Sequence, residues 1–434
     1  MLRDFKLKID NFGPINKADL DISKINIIAG RNASGKTTMS KLIYSILTAF
    51  SNDGEYLTYK SMKDRLSLLL EESLKIPYDE TSKITQIIEI KINLETNNDF
   101  KLETLKQCYD KLHSIIESVE FDKKEYILRM IESDKKTLKE ISSPDFHHIL
   151  LFNLIRNEFN GDEQILDNFN DSNVIIYNDL DNPFEYNIKI DDAINVKSDE
   201  GFENLTTNRE AIYIETPYFL DFYPFISQTP VPSQIPYHQV LLSRKLKDQS
   251  SKNDILDAIH NENIVKFQEK INALINGEFN LNNNGLFEFK QNGKTFNLQN
   301  TSTGLKSIGM LQLLLENRKL KENSYLIMDE PEVHLHPEWQ VKLAEILTLL
   351  VKDLNVNLFI NSHSPQFIEA IEVYSIKYGL RDETNFYLTQ KDKNGGKYNV
   401  EKIEYKKLYE LYDDLGDPYK TISKIRGQNL ARHL

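Results

Sequence analysis

One octapeptide constrains this chain more than any other feature: Gly30-Arg31-Asn32-Ala33-Ser34-Gly35-Lys36-Thr37 fits the pattern GxxxxGK[ST] in full. Ahead of it lies the apolar run Ile25-Asn26-Ile27-Ile28-Ala29, which reads as a buried strand. Behind it, Ser40 to Leu47 reads as a helix. Strand, loop and helix in that order imply an α/β fold. Such a loop leaves backbone N–H groups free to surround an anion, with the positive end of the helix behind them. On this reading Gly30, Arg31, Asn32, Ala33, Ser34, Gly35, Lys36, Thr37 and Thr38 contact nucleotide phosphates. Lys36 reaches the β- and γ-phosphates, and Thr37 holds Mg²⁺.

With 434 residues the chain can bury a large core and hold two or three domains. Its start, Met1-Leu2-Arg3-Asp4-Phe5, lacks the apolar run of a signal peptide, and no later stretch approaches a membrane span. A cytoplasmic protein without a membrane partner is expected. The single Cys108 excludes an internal disulfide framework, argues against structural zinc, and reads as a buried or half-buried thiol. A net charge of −13 does not favour a surface built for nucleic acid, so DNA is an unsupported partner. Local basic clusters remain. Lys420, Lys424, Arg426 and Arg432 read as a solvated helix face before they read as phosphate contacts, and Arg244, Lys245 and Lys247 are equally ambiguous.

The first fifty residues alternate as strands: Phe5 to Ile9, Ala18 to Ile22, then the strand feeding the loop. Asn11-Phe12-Gly13-Pro14 turns between the first two. Residues 51–205 read as a mainly helical insertion, with Leu102, Leu105, Tyr109, Leu112, Ile115, Ile116 and Val119 at helical spacing and Ile127, Met130, Ile131, Leu138 and Ile141 in a second helix. The apolar repeat is not sustained over enough heptads for a long coiled-coil arm. Ala211 to Glu215 returns to a strand. Residues 226–299 read as a helical lobe, with an amphipathic helix from Ile255 to Ile275 and a hairpin from Gly285 to Leu298 turning at Asn292-Gly293. Residues 1–50, 206–225 and 300–434 then form the core, a parallel-sheet α/β unit.

A second motif belongs to that core. Ser324-Tyr325-Leu326-Ile327-Met328-Asp329-Glu330 is an apolar strand ending in two acids. Beside a phosphate loop, Asp329 would hold Mg²⁺ and Glu330 would act as general base toward water. Thr301-Ser302-Thr303-Gly304-Leu305-Lys306 opens a helix, so Ser302 and Gly304 form either a plain N-cap or a second anion site. His363 ends the strand Val356 to Ile360, at the edge where open α/β sheets bind ligands. His334 and His336 make a His-x-His pair, but they lie in a turn without a suitably spaced third ligand, and a metal site is not expected there.

This order of motifs, phosphate loop, Ser-x-Gly-x-Lys, Asp-Glu-Pro-Glu-x-x-Leu-His-Pro and Ser-His-Ser, resembles the ABC-type ATPases of the RecF, SMC and OLD-like branch. Phe12-Gly13-Pro14-Ile15 and Leu335-His336-Pro337 are similar to the ATPases of anti-phage systems such as Septu and PARIS. The resemblance implies an ABC-type head, with a mixed core sheet flanked by helices, a helical insertion and a small helical and hairpin lobe. It implies ATP and Mg²⁺ as ligands, Lys36, Glu330 and His363 in catalysis, and Thr37 and Asp329 at the metal. Ser302 and Gly304 would act on the nucleotide of a partner protomer in a homodimer or higher homo-oligomer. There are two departures. Thr301-Ser302-Thr303-Gly304-Leu305 stands where transporters carry Leu-Ser-Gly-Gly-Gln, and the family's coupling glutamine is not evident where Ile212-Tyr213-Ile214 leads into Glu215-Thr216-Pro217.

The expected function is ATP hydrolysis by a nucleotide-gated dimeric switch that regulates a separate effector, a nuclease or toxin, in anti-phage defence. No Asp-x-Asp acids follow His363 and no Cys-His cluster is present, so a Toprim or HNH nuclease is not expected within the chain. The alternative is a RecF-like DNA-binding repair ATPase, recognisable by binding that weakens steeply with salt.

Overall fold

Three N-terminal segments form β1 (Lys6–Phe12), β2 (Ile15–Asp21) and β3 (Ile25–Ala29). In β1 Leu7, Ile9 and Phe12 are buried and in β2 Ile15, Ala18 and Leu20, whereas all of β3 is buried, as its apolar run requires. The computed structural model describes residues 5–96, 102–140, 146–159, 172–178, 184–190, 195–198, 210–222, 235–248, 261–282, 285–392, 396–416, 422 and 425–426. Helix α1 (Lys36–Ala49) follows the phosphate loop. Then come α2 (Asn52–Ser73), α3 (Thr81–Thr96), α4 (Leu102–Glu117), α5 (Lys124–Glu140) and α6 (Phe146–Glu158). The apolar stripe of α4 is buried as its spacing predicts, and Cys108 is buried with it.

Strands β4 (Ser172–Asn178), β5 (Phe184–Ile190) and β6 (Asn195–Ser198) were not legible within the segment read as a helical insertion. They extend the sheet antiparallel from the free edge of β1, where Val174 and Ile176 are buried. A short apolar run does not by itself distinguish strand from helix; the open edge of β1 decides it here.

Next in the chain are β7 (Ala211–Ile214), α7 (Tyr237–Lys247), α8 (Asn261–Ile275), β8 (Glu278–Leu281), β9 (Phe287–Gln291) and β10 (Lys294–Asn297). The hairpin of β9 and β10 turns at Asn292 and Gly293, with φ of 51° and 73°, and pairs further with β8. Residues 255–260, read as the start of the helix that includes α8, lie outside the described residues. The chain continues with α9 (Thr303–Glu316), β11 (Tyr325–Asp329), α10 (Pro337–Leu354), β12 (Asn357–Ser362), α11 (Pro365–Lys377), β13 (Thr384–Lys391) and β14 (Tyr398–Ile403).

The main sheet has the order β6-β5-β4-β1-β2-β14-β13-β3-β12-β11-β7. Strands β13, β3, β12, β11 and β7 run parallel, while β14 is antiparallel to β13 and parallel to β2. This is the mixed, helix-flanked sheet expected. One face, with Ile27, Leu326 and Ile360, packs on α9, α10 and α11. The other face, with Ile28, Ile327 and Phe359, belongs to a core that runs without a break through Met39 and Leu42 of α1 to Leu66 of α2, Leu112 of α4, Ile131 of α5 and Leu154 of α6. Among the described residues, no helix is long and apolar enough to cross a membrane.

Candidate nucleotide site

The phosphate loop leaves the carboxyl end of β3 and closes onto α1 through Gly35, whose φ of 89° is a left-handed conformation that suits glycine. The turn between β1 and β2 packs on it: a Cβ at Gly35 would lie 2.4 Å from Ile15 Cδ1 and 3.1 Å from Pro14 Cγ. Lys36 is 5% exposed, and its Nζ donates to the carbonyls of Gly30 and Arg31, each at 2.9 Å. It also lies 3.7 Å from Glu330 Oε1. Burial pushes this ammonium below its usual range, against the pull of Glu330 and Asp329.

Thr389 of β13 donates to Ser34 Oγ at 2.7 Å, which fastens the loop to the next strand. The same threonine excludes any side chain at Gly30, where a Cβ would fall 1.8 Å from Thr389 Oγ1. Gly30→Ala is expected to lower the unfolding free energy by about 1–3 kcal/mol, read by chemical denaturation. Adding Thr389→Ala removes the nearest clashing atom and should restore part of the loss. No recovery in the double variant would show that the clash is not the cause.

Asp329 is the last residue of β11 and is paired in register with Asn361 of β12. Its Oδ1 accepts from Ser40 Oγ at 2.7 Å and from Asn361 Nδ2 at 2.6 Å, and its Oδ2 accepts from Tyr213 Oη at 2.8 Å. Burial pushes its carboxyl above the usual range, while hydrogen bonds from Ser40, Tyr213 and Thr37 work against that rise. Glu330 has a φ of 46°, uncommon for a residue with a side chain, and its N–H donates to the Asn361 carbonyl at 2.9 Å. Its Oε1 lies 2.9 Å from His363 Nδ1. That contact lowers the carboxyl pKa of Glu330 and raises the imidazole pKa of His363. Behind Pro331, the buried Glu332 accepts from Ser362 Oγ at 2.5 Å, which braces the turn that carries His363.

A cleft of about 450 Å³ results, lined by Pro14, residues 32–38, Glu215, Asp329 and Glu330. Lys36, Thr37, Asp329 and Glu330 meet there, with His363 against Glu330. Sequence reasoning missed Ser40, Tyr213, Asn361 and Glu215. The only signal for the last three was a polar group in or just after an apolar strand, which is also common in residues without function. Ile214 pairs with Met328, so Glu215 stands one step on, beside Asp329, in the place where no glutamine was evident.

A model described as the AAA ATPase domain matches residues 5–368. The chain belongs to the AAA ATPase domain family. The "ATP/GTP phosphatase" of Helicobacter pylori is 23% identical over 421 residues, covering 94% of this ATPase and 96% of that protein. An uncharacterized protein of Methanocaldococcus jannaschii is 31% identical over 77 residues, 18% of this chain and 65% of its own length. Among solved structures, the SMC head domain from Thermotoga maritima aligns with 10% identity and a TM-score of 0.40, covering 93% of this chain and 100% of that one. An SMC head bound to the C-winged helix domain of ScpA aligns with 12% identity and a TM-score of 0.43, covering 93% and 98%.

In this AAA ATPase the oxygen donors near the loop suit a hard cation. Asp329 is fixed by three hydrogen bonds at the end of a strand, and Thr37 reaches the same carboxylate. Mg²⁺ commonly takes one or two carboxylates and otherwise binds phosphate and water, so this set fits it. Ser302 caps α9, accepting from the Leu305 N–H at 3.4 Å, and neither it nor Gly304 lines the cleft. Gly304 packs so closely that a Cβ would lie 2.7 Å from Leu335 Cδ2 and 3.0 Å from the His334 carbonyl. His336 caps α10 and His334 packs edge-on against Tyr218. Lys245 is buried between Asp53 and Glu210, and the Arg244 guanidinium lies over Tyr56, so neither belongs to an open basic patch. Lys420, Lys424 and Arg432 lie outside the described residues.

Proposed function

We propose that this ATPase binds Mg·ATP in the cleft and hydrolyses it with Lys36 on the β- and γ-phosphates, Glu330 as general base and His363 on the γ-phosphate. What carries the reading is the convergence of Lys36, Thr37, Asp329 and Glu330, from the loop-helix junction and the end of β11, on one cleft. Thr37 and Asp329 would hold Mg²⁺, which when bound neutralises phosphate charge. Glu330 takes the proton of the attacking water as its oxygen bonds to the γ-phosphorus and the bond to the bridging oxygen of ADP breaks. The contact with His363 favours the charged form of Glu330, and a γ-phosphate that draws His363 away would leave that carboxylate free to accept a proton.

Ser302 and Gly304 are proposed to complete the site of a second protomer. Two such sites related by a twofold axis make a dimer closed by ATP and released by hydrolysis. Mixing two inactive variants tests this. Lys36→Ala and Ser302→Arg should each fail to hydrolyse ATP alone, because each spoils both composite sites of its own dimer. A heterodimer has one site with an intact Lys36 and an intact Ser302, so a random equal mixture should recover about a quarter of wild-type activity. A mixture as inactive as its parts would exclude the shared site.

The switch is proposed to regulate a separate effector, a nuclease or toxin, in an anti-phage system. The likeness of Phe12-Gly13-Pro14-Ile15 and Leu335-His336-Pro337 to such ATPases supports this reading.

A further inference from the structure

We propose that Glu215 is a positioning residue that couples the cleft to the helical insertion, exchanging its ion pair with the buried His238 for the charge of a bound metal and nucleotide. The inference rests on the cleft being the nucleotide site. Glu215 faces two ways. On one side it lines the cleft, one step past the Ile214–Met328 pair and so beside Asp329. On the other, its Oε1 lies 3.2 Å from Lys41 Nζ and its Oε2 lies 3.2 Å from His238 Nε2.

His238 belongs to the first turn of α7 and is 1% exposed. Its Nδ1 is 2.6 Å from Oε2 of Glu158, the fully buried last residue of α6, and its backbone N–H donates to Glu158 Oε1 at 2.9 Å. Lys41 of α1 adds a bond to the Glu158 carbonyl at 3.2 Å. One imidazole therefore joins the end of α6, the start of α7 and the wall of the cleft. Its ring also packs 4.6 Å from that of Tyr213, whose hydroxyl holds Asp329.

In this cluster Lys41 and a protonated His238 balance the carboxylates of Glu158 and Glu215. Burial alone would lower the imidazole pKa of His238, but the two carboxylates raise it to about 9. Burial would likewise raise that of Glu215, but His238 and Lys41 hold it at about 2. Glu215, next to Asp329, would be drawn toward the positive charge of a divalent cation that Asp329 held. Each movement of Glu215 toward it weakens the hold on His238 and leaves Glu158 as that residue's remaining carboxylate. The insertion shares its apolar core with α1, so a shift at the end of α6 propagates through packed side chains and is not absorbed by a loop.

The experiment is hydrogen exchange by mass spectrometry on the full chain, with Mg²⁺ and a β,γ-imido analogue of ATP at concentrations shown by calorimetry to saturate each protein. In the wild type, amides of residues 146–158 and 237–247 should change their exchange rate by about fivefold or more on binding. Glu215→Gln, when saturated, should lose that response while the phosphate loop still becomes protected. His238→Gln, which can hydrogen-bond but carries no charge, should lose it as well. A saturated Glu215→Gln with the wild-type response overturns the proposal, as does a wild type that protects its loop without any change in α6 and α7. A wild type that binds no analogue refutes the nucleotide site itself, a different failure visible in the calorimetry alone.

Discussion

Replacing Glu330 with glutamine is expected to reduce ATP turnover by about 10²- to 10⁴-fold while leaving the nucleotide bound. The amide has nearly the shape of the carboxylate, so it can keep its place between Lys36 and His363, which lie 3.7 and 2.9 Å from Oε1. What it cannot do is accept the proton of the attacking water. ATP should then persist in the cleft and hold the proposed dimer closed, giving a doubled mass by light scattering with ATP and not with ADP. Hydrolysis at the wild-type rate would remove Glu330 as the base. A dimer that fails to form with ATP bound would remove the gating scheme and leave the chemistry intact.

Lys36→Ala is expected to act earlier, weakening ATP binding by roughly 10²-fold, because charge-assisted hydrogen bonds contribute about 1.5–3 kcal/mol each. Titration calorimetry reads this directly. Lys36 Nζ donates to the Gly30 and Arg31 carbonyls at 2.9 Å, inside the loop it serves. Burial already lowers its pKa, so the site holds a poorly hydrated cation for which phosphate oxygens are better partners than two neutral carbonyls. Unchanged affinity in Lys36→Ala would mean that the phosphates lie elsewhere. The two variants separate cleanly: Lys36→Ala should lose binding, and Glu330→Gln only the step that follows it.

Much of the site was legible because its chemistry is local. Gly30 to Thr37 is one continuous loop whose spacing fits a pattern, and Asp329 and Glu330 end one apolar run, which pointed to a site once it was read together with that loop and with Pro331. His363 followed from its place in the order of motifs, since a lone histidine after a strand is more often structural. The groups that hold Asp329 were not legible, because Ser40, Tyr213 and Asn361 come from a helix and two strands far apart in the chain, and each looks ordinary in its own segment. Arg244 and Lys245 were ambiguous for the same reason: the carboxylates that neutralise Lys245 lie in α2 and just before β7.

The sequence by itself determined the strand-loop-helix unit, the second acidic motif and the helix-flanked α/β class, since each depends on apolar periodicity and on turn residues within a short window. Only the tertiary structure decided that β4 to β6 extend the main sheet, that Glu215 occupies the cleft wall, and that His238 ties it to Glu158. An exposed sheet edge, a buried charge and its partner acquire meaning when distant segments meet. Those meetings arise from packing and desolvation across the whole core, which no local pattern encodes.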